Sequence, residues 1–234
     1  MIPVSSSSIK PGVRAVSILT RYQRRILLLG CSGLTIFMLL VRFFAPVPIR
    51  HLTRDPLVLA EKPFYFGFLS NVGVLLWCTA AIVCLFSSLL LFVARGKRES
   101  VLFFAIFGAI SLWLMLDDLL MIHEVLDEEL HIVPDKVTYG FYGLVIVVSL
   151  VRFRKLLLRM QPWILGLSLL FFGVSIGFDV LVPNGWAVLQ DDAYLLEDGF
   201  KLLAIFVWAV YFCRIALEQI LGLLGASEQS RLLG

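Results

Sequence analysis

The chain has 234 residues, of which 60% are apolar or aromatic and only 16% are charged, and its mean hydropathy is +0.94. Soluble domains contain about 45–50% apolar residues, so a water-soluble fold of this composition would expose large apolar patches and aggregate. The net charge of +3 lies in short clusters beside apolar runs, which is typical of membrane orientation and not of a nucleic-acid-binding surface. These values exclude soluble, disordered and disulfide-framework classes, and no nucleic-acid partner is expected.

Long apolar runs dominate the chain. A helix that crosses about 30 Å of hydrocarbon needs about 20 mostly apolar residues. The runs that meet this length are 24–45, 66–94, 100–123, 138–158, 162–182 and 199–222. Connections with Pro, Gly or charge separate the runs, and they lack the alternation of a membrane β-barrel. The sequence therefore predicts an all-α polytopic membrane protein built as a six-transmembrane-helix bundle.

The remaining residues form the ends of the chain. Residues 1–23 are Ser-rich and then basic, which favours a cytoplasmic segment with an interfacial helix as one option. Residues 24–222 are the predicted transmembrane domain, and 223–234 are a cytoplasmic tail. The first apolar run is too long for a signal peptide, so we predict a membrane span. All four cysteines lie in apolar runs without CxxC spacing, so we interpret them as packing residues.

The charges predict an orientation. Fourteen of the 20 Lys and Arg residues fall on the side of the bundle that holds both chain ends. The positive-inside rule places that side in the cytoplasm, so we expect a plasma-membrane protein, in a bacterium the inner membrane, with both termini cytoplasmic. Fourteen of the 17 acidic residues fall on the opposite, outer side. Acidic residues contribute little to orientation, so this bias needs another explanation.

Four predicted helices bring polar residues to one level near the outer boundary. Asp117 follows Ser100 by about 26 Å of helix, and Asp179 reaches a similar depth in the fifth helix. The residues at this level are Ser70, Asn71, Asp117, Asp118, His123, Glu124, Asp179, Glu197, Asp198 and Lys201. Ionisable groups within membrane segments are costly and usually face a bundle interior or a wet cavity. The sequence therefore predicts a shared polar site.

Carboxylates and an imidazole at one site are able to bind a divalent metal ion. A bound metal would activate water beside a carboxylate base. The predicted assignment is metal ligands Asp118, His123 and Asp179, catalytic residues Asp117, Glu124 and Lys201, and supporting residues Ser70, Asn71, Glu197 and Asp198. Asp117 or Glu124 would be the base, and Lys201 would orient a carboxylate or stabilise developing negative charge. The sequence lacks HExxH and His-x3-His spacing, so it does not specify the metal.

Structural roles explain part of this set equally well. Glu197 and Lys201 are four residues apart and would form an ion pair at the start of a helix. Acidic residues are favoured in a first helical turn by the helix dipole. Ser70 and Asn71 would bridge neighbouring helices by hydrogen bonds. Two adjacent carboxylates in an apolar run stabilise nothing obvious, so Asp117–Asp118 points most clearly to a function.

Three segments carry a family resemblance. The chain resembles a group of uncharacterised bacterial six-helix membrane proteins in Leu-Asp-Asp-Leu-x3-His-Glu (Leu116–Glu124), in Glu-Asp-Gly-x-Lys-Leu-Leu (Glu197–Leu203) and over Phe64–Cys78. That group supplies no named activity.

A fainter likeness is to the alkaline ceramidases and related metal-dependent membrane hydrolases. It lies in Ser70-Asn71 and in the acidic run Leu116–Leu119. Those proteins have seven helices and three zinc-binding histidines, whereas His123 is the one histidine in a predicted helix here. The resemblance therefore does not imply a zinc ion bound by three histidines in this chain.

These patterns favour a metal-dependent hydrolase that acts on a lipid or lipid-linked substrate at the outer face. One alternative is an ion- or proton-coupled transporter, although the inner halves of the helices have few polar residues to continue a pathway. The other is a non-catalytic subunit bound to a membrane protein partner. Gly166, Gly173 and Gly177 of the fifth helix would allow the close helix contact that such an assembly needs.

Overall fold

Helices make up every regular element that the computed structural model describes. The backbone is described for residues 11–44, 46–48, 50–53, 56–63, 65–181 and 190–232. Side chains are described within these ranges except at 11–24, 26, 50, 53, 128–129, 135–136, 179–181, 190–194 and 224–232. The predicted all-α class is confirmed. The chain divides into two units, Met1–Phe66 and Gly67–Gly234.

The first unit contains a long helix and two single helical turns. Helix α1 spans Pro11–Phe44, α2 spans Arg50–Thr53 and α3 spans Pro56–Leu59. Proline suits the first position of α1 because the amide hydrogen that it lacks would have no partner there. Because α1 is continuous from Pro11, the predicted N-terminal segment joins the first apolar run without a break.

The second unit holds the remaining helices. They are α4 (Phe68–Val93), α5 (Arg98–Leu120), α6 (Ile122–Glu124), a π-helical turn (Val125–Glu129), α7 (Asp135–Arg152), α8 (Arg154–Leu157), α9 (Pro162–Leu181) and α10 (Gln190–Leu232). Helix α4 packs against both α5 and α10, α10 also packs against α9, and α7 contacts α5. Helices α4, α5, α9 and α10 therefore form the closely packed part of this unit.

Four helices are long and apolar enough to cross a membrane. These spans are Leu27–Phe44, Phe68–Val93, Arg98–Leu120 and Leu195–Leu223, and two shorter apolar segments are Val137–Arg152 and Pro162–Phe178. Their outward side chains are large and apolar, for example Leu75, Ile82 and Phe206, which are all more than half exposed. Lipid is the solvent that such surfaces require. The chain is a multi-pass membrane protein.

Aromatic rings fill the core of the second unit. Trp208 of α10 is fully buried, and its ring lies 5.8 Å from Trp77 of α4 and 6.0 Å from Phe107 of α5. Phe212, one turn further along α10, lies 5.2 Å from Phe107. Tilted and edge-to-face rings at these distances add to the energy of burial. This core fixes the rotation of α4, α5 and α10 about their axes.

Hydroxyl groups join the helices inside the unit. Ser168 and Ser175 of α9 donate to the main-chain oxygens of Ala204 and Glu197 of α10, at 2.8 and 2.9 Å. The indole of Trp208 donates to the hydroxyl of Ser111 at 3.0 Å. Lipid offers no partner for such groups, so hydrogen bonds between helices satisfy them.

Helix α5 ends earlier than the apolar run predicts. The run continues to residue 123, but α5 stops at Leu120 and Met121 adopts the left-handed conformation, with φ 50° and ψ 43°. Helix α6 and the π-helical turn follow, and His131 also has a positive φ, at 52°. The apolar run 100–123 is therefore not one continuous helix, because it is interrupted at Met121.

Candidate functional site

The end of α5 carries two neighbouring carboxylates that point to different partners. Asp117 and Asp118 are adjacent in sequence, and successive residues on an α-helix are about 100° apart around its axis. Asp117 contacts His123, in the segment that follows α5, whereas Asp118 contacts α4 and α10. We call these residues and their partners the polar cluster.

Asp117 and His123 form a buried dyad. The Nδ1 atom of His123 lies 2.8 Å from Oδ2 of Asp117, and the backbone N–H of His123 donates to Oδ1 at 3.1 Å. Asp117 is 3% exposed and His123 is 6% exposed. The carboxylate therefore holds both the backbone and the ring of the same residue, and this fixes the direction of the imidazole.

Side chains on two sides surround the imidazole. The Oε1 atom of Glu124 lies 3.9 Å from Nε2 of His123, and the Glu124 side chain is half exposed. The ring of Tyr139 in α7 lies 5.4 Å from the imidazole. Tyr142, one turn further along α7, hydrogen-bonds the Asp117 side chain. The second ring nitrogen of His123 therefore lies beside the exposed Glu124 carboxylate.

The electrostatic environment of His123 favours its charged form. The hydrogen bond that the His123 imidazole donates to Asp117 raises the pKa of the imidazole above its ordinary value, and the charge of Asp117 acts in the same direction. Burial of the ring and the positive charge of Lys201 oppose this shift without cancelling it. A histidine titrates near pH 6.5 without perturbation, so the raised pKa means that His123 keeps its proton to a higher pH than an unperturbed imidazole does.

Asp118 joins three helices in what we call the Asp118 triad. The Nζ atom of Lys201 in α10 lies 2.9 Å from Oδ1 of Asp118, and the indole N–H of Trp77 in α4 donates to Oδ2 at 3.0 Å. The Asp118 side chain is largely buried, whereas that of Lys201 is partly exposed. Trp77 also stacks on Phe172 of α9, with ring centroids 5.9 Å apart. Each Asp118 oxygen thus has a partner from a different helix.

The sequence-predicted residues separate into two groups. The structure brings Asp117, His123 and Glu124 together in one set of contacts, and Asp118 and Lys201 in another. Ser70, Asn71 and Asp198 are exposed, and the main-chain oxygen of Glu197 accepts the Ser175 hydroxyl. The side chain of Asp179 lies outside the described residues.

A metal centre has no direct support in the described part of the chain. There, no three His, Cys, Asp or Glu side chains lie close enough together to hold one ion. Both oxygens of Asp118 already have nitrogen partners, and Nδ1 of His123 faces Asp117. The predicted site of Asp118, His123 and Asp179 stays a prediction, because the third side chain lies outside the described residues.

Sequence reasoning missed three aromatic residues of the polar cluster. Trp77, Tyr139 and Tyr142 all lie within apolar runs and give no polar signal of their own. A buried Trp or Tyr nevertheless carries one polar group that needs a hydrogen-bond partner. The Trp77 indole meets that need at Asp118 and the Tyr142 hydroxyl meets it at Asp117.

Comparison with known proteins gives a family without a described activity. The model of a domain of unknown function, DUF8692, matches residues 26–215. The chain belongs to this family. The match includes every residue of the polar cluster and all three segments that carry the bacterial resemblance. No curated protein matches the chain, and no solved structure matches it.

Proposed function

We propose that this member of the DUF8692 family is a membrane hydrolase that acts on a lipid or lipid-linked substrate, with His123 as its acid–base group. The observation that carries the proposal is the buried dyad, in which Asp117 holds the backbone N–H and Nδ1 of His123. A carboxylate on one imidazole nitrogen orients the ring and stabilises its protonated form, so the other nitrogen is able to exchange a proton with a substrate or water.

The electrostatics of the dyad support this role. General acid–base catalysis is most effective when the pKa of the group lies close to the working pH. The Asp117 hydrogen bond raises the pKa of His123 above its ordinary value, so the dyad controls the protonation of this group. In hydrolysis, Nε2 would accept a proton from water while the oxygen of that water attacks the substrate carbonyl or phosphoryl group. The same proton would then pass to the leaving oxygen.

Lys201 supplies the second requirement of hydrolysis. Attack by water places negative charge on a substrate oxygen, and a nearby cation stabilises that charge. Lys201 is partly exposed, and Asp118 holds its ammonium group at 2.9 Å. The ion pair with Asp118 also lowers the free-energy cost of placing the Lys201 ammonium at the end of a membrane span.

The position of the polar cluster favours a substrate from the bilayer. The span Arg98–Leu120 ends three residues before His123, which is the level at which lipid headgroups meet the hydrocarbon. Further along the bundle, the core is filled by rings, including the fully buried Phe103, Phe107 and Trp208. A closed aromatic core supports chemistry at the surface better than passage of ions through the unit.

We extend the proposal to the arrangement in the membrane. Helix α9 has 20 residues, a length of about 30 Å, which matches the hydrocarbon thickness. Helix α7 has 18 residues and crosses with slight thinning of the bilayer. With these two helices the chain would cross the membrane six times, and both termini would be cytoplasmic as the positive-inside rule requires.

The first test is product release by the reconstituted protein. Full-length protein is placed in vesicles of phosphatidylethanolamine and phosphatidylglycerol, and in vesicles of the lipid extract of its own cells. Mass spectrometry measures released headgroups and fatty acids. We expect His123→Ala to reduce release by at least about 100-fold, because removal of a general acid–base group has effects of this size.

The matched control is His51→Ala, which removes an exposed imidazole of α2, in the other unit of the chain. This variant should release product at the wild-type rate. Equal release by wild type and His123→Ala would remove the acid–base role. Metal content, measured on the same samples, tests the predicted divalent metal independently, because Asp118→Ala should lose the ion if Asp118 is a ligand.

A further inference from the structure

The acid–base group is poorly accessible in the closed structure. His123 is 6% exposed and Asp117 is 3% exposed, so a lipid headgroup has little room to reach the imidazole. This inference rests on the proposed function, because a group that exchanges protons with a substrate must first meet it. A part of the surrounding chain has to move, and the local backbone indicates which part.

Residues 121–131 differ in backbone from the helices on either side. Met121 is left-handed at φ 50°, and His131 is left-handed at φ 52°. A left-handed backbone costs about 1–2 kcal/mol in residues other than glycine. Between them lie the three residues of α6 and the π-helical turn, and π-helical turns are often found at functional sites. The segment is thus bounded by two unfavourable conformations.

Hydrogen bonds tie the start of this segment to one residue of α5. The backbone N–H of Met121 donates to the main-chain oxygen of Asp117, and the carboxylate of Asp117 accepts both bonds from His123. Much of the remaining bonding is local: Leu130 N–H donates to the Val125 oxygen at 3.0 Å, and His131 Nδ1 lies 2.8 Å from the Asp127 oxygen. A locally bonded segment is able to move as one piece.

We propose that residues 121–131 form a lid over the polar cluster that turns at Met121 and His131 and is held closed by Asp117. The open lid carries His123 outward and admits the substrate. Closure restores the dyad around the bound substrate. Active-site lids of this kind come from the less stable parts of a structure.

Hydrogen exchange measures the lid directly. Full-length protein in phosphatidylglycerol nanodiscs is compared with Asp117→Asn, which keeps the shape of the side chain but loses the charge that binds Nδ1. We expect amides of 121–131 to exchange at least about tenfold faster in this variant. Asp118→Asn is the matched control, because it removes the neighbouring charge from the Lys201 contact, and it should leave exchange of the lid unchanged.

Substitutions at the hinge provide a second test that retains Asp117. Met121→Val disfavours the left-handed backbone and should accelerate exchange of the lid, whereas Met121→Gly favours it and should leave the rate unchanged or lower. Equal exchange of the lid in wild type, Asp117→Asn and Met121→Val would overturn the proposal. Lid exchange that is fastest in Met121→Val, slower in the wild type and no faster in Met121→Gly than in the wild type supports the lid, even if Asp117→Asn unfolds.

The two experiments distinguish an error in the lid proposal from an error in the hydrolase proposal. Exchange reports motion whether or not a product forms. If the lid opens as expected but His123→Ala still releases product, only the acid–base role of His123 is lost. If His123 is required but the lid exchanges equally in all variants, the lid is wrong and access follows another route.

Discussion

At the scale of single residues, one carboxylate organises the candidate site. Asp117 terminates the hydrogen-bonding pattern of α5, accepts the first bonds of the next segment and directs the His123 ring. The neighbouring Asp118 instead joins α4 to α10. The two side chains are chemically identical, so their positions around the helix determine their different roles. The structure thus gives a physical reason for a paired carboxylate at the end of a membrane span.

The raised pKa of His123 predicts how stability changes with pH. The folded protein binds the proton of His123 more tightly than the unfolded chain does. The dyad therefore stabilises the fold fully below the unfolded value near 6.5, and this contribution is lost as pH rises through the higher folded value. Unfolding midpoints measured between pH 5 and 9 should fall across that window, and Asp117→Asn should flatten the change.

Nuclear magnetic resonance of labelled histidine checks the same shift at one site. The imidazole of His123 should titrate above the ordinary value for histidine, near 6.5. Asp117→Asn should lower the pKa of His123 toward that ordinary value, because the opposite charge and its hydrogen bond are gone. An unchanged His123 titration in this variant would contradict the dyad.

At the scale of helices, close contact between α4 and α5 depends on a missing side chain. A Cβ atom added at Gly108 would lie 2.8 Å from Cγ of Leu85 and 3.1 Å from Cβ of Cys84. Such a distance requires one helix to shift, and overpacking of this kind costs about 1–3 kcal/mol. The contact matters for the site, because α5 positions both aspartates and α4 supplies Trp77.

Gly108→Ala should therefore lower the thermal unfolding midpoint of the detergent-solubilised protein. Gly140→Ala is the matched control, since the same added atom at Gly140 meets nothing within 4 Å. That variant should keep or slightly raise the midpoint, because alanine favours helix over glycine. Equal midpoints for the two variants would show that α4 and α5 are less closely packed than described.

The helices were largely predictable from the sequence, whereas their rotations were not. Each predicted run overlaps a described helix, and four of these helices are long and apolar enough to cross a membrane. The sequence placed Lys201 at the level of Asp118, but it did not predict their contact, which depends on how α10 is turned. The break at Met121 lacked a signal because no Gly or Pro marks it. The hydrogen bonds from His123 to the Asp117 carboxylate accompany this break instead.

At the scale of the whole molecule, the order of the helices gives a testable arrangement. With six crossings, both termini and the Arg152–Arg159 cluster would lie on the cytoplasmic side. With four crossings, and with α7 and α9 outside the bilayer, the Arg152–Arg159 cluster would lie on the outer side, against the positive-inside rule. A reporter that is active only outside the cytoplasm, fused after chosen residues of the chain, distinguishes the two arrangements. We expect low activity after residues 97, 159 and 232 and high activity after residues 62 and 134.

Helix α10 connects the polar cluster with the far end of the chain. It has 43 residues and is therefore about 64 Å long, roughly twice the thickness of the hydrocarbon. Lys201 lies near one end, and the helix continues to Leu232 without interruption. Because the helix is continuous, a displacement of its C-terminal half along the axis would change the distance between the Lys201 ammonium and the Asp118 carboxylate.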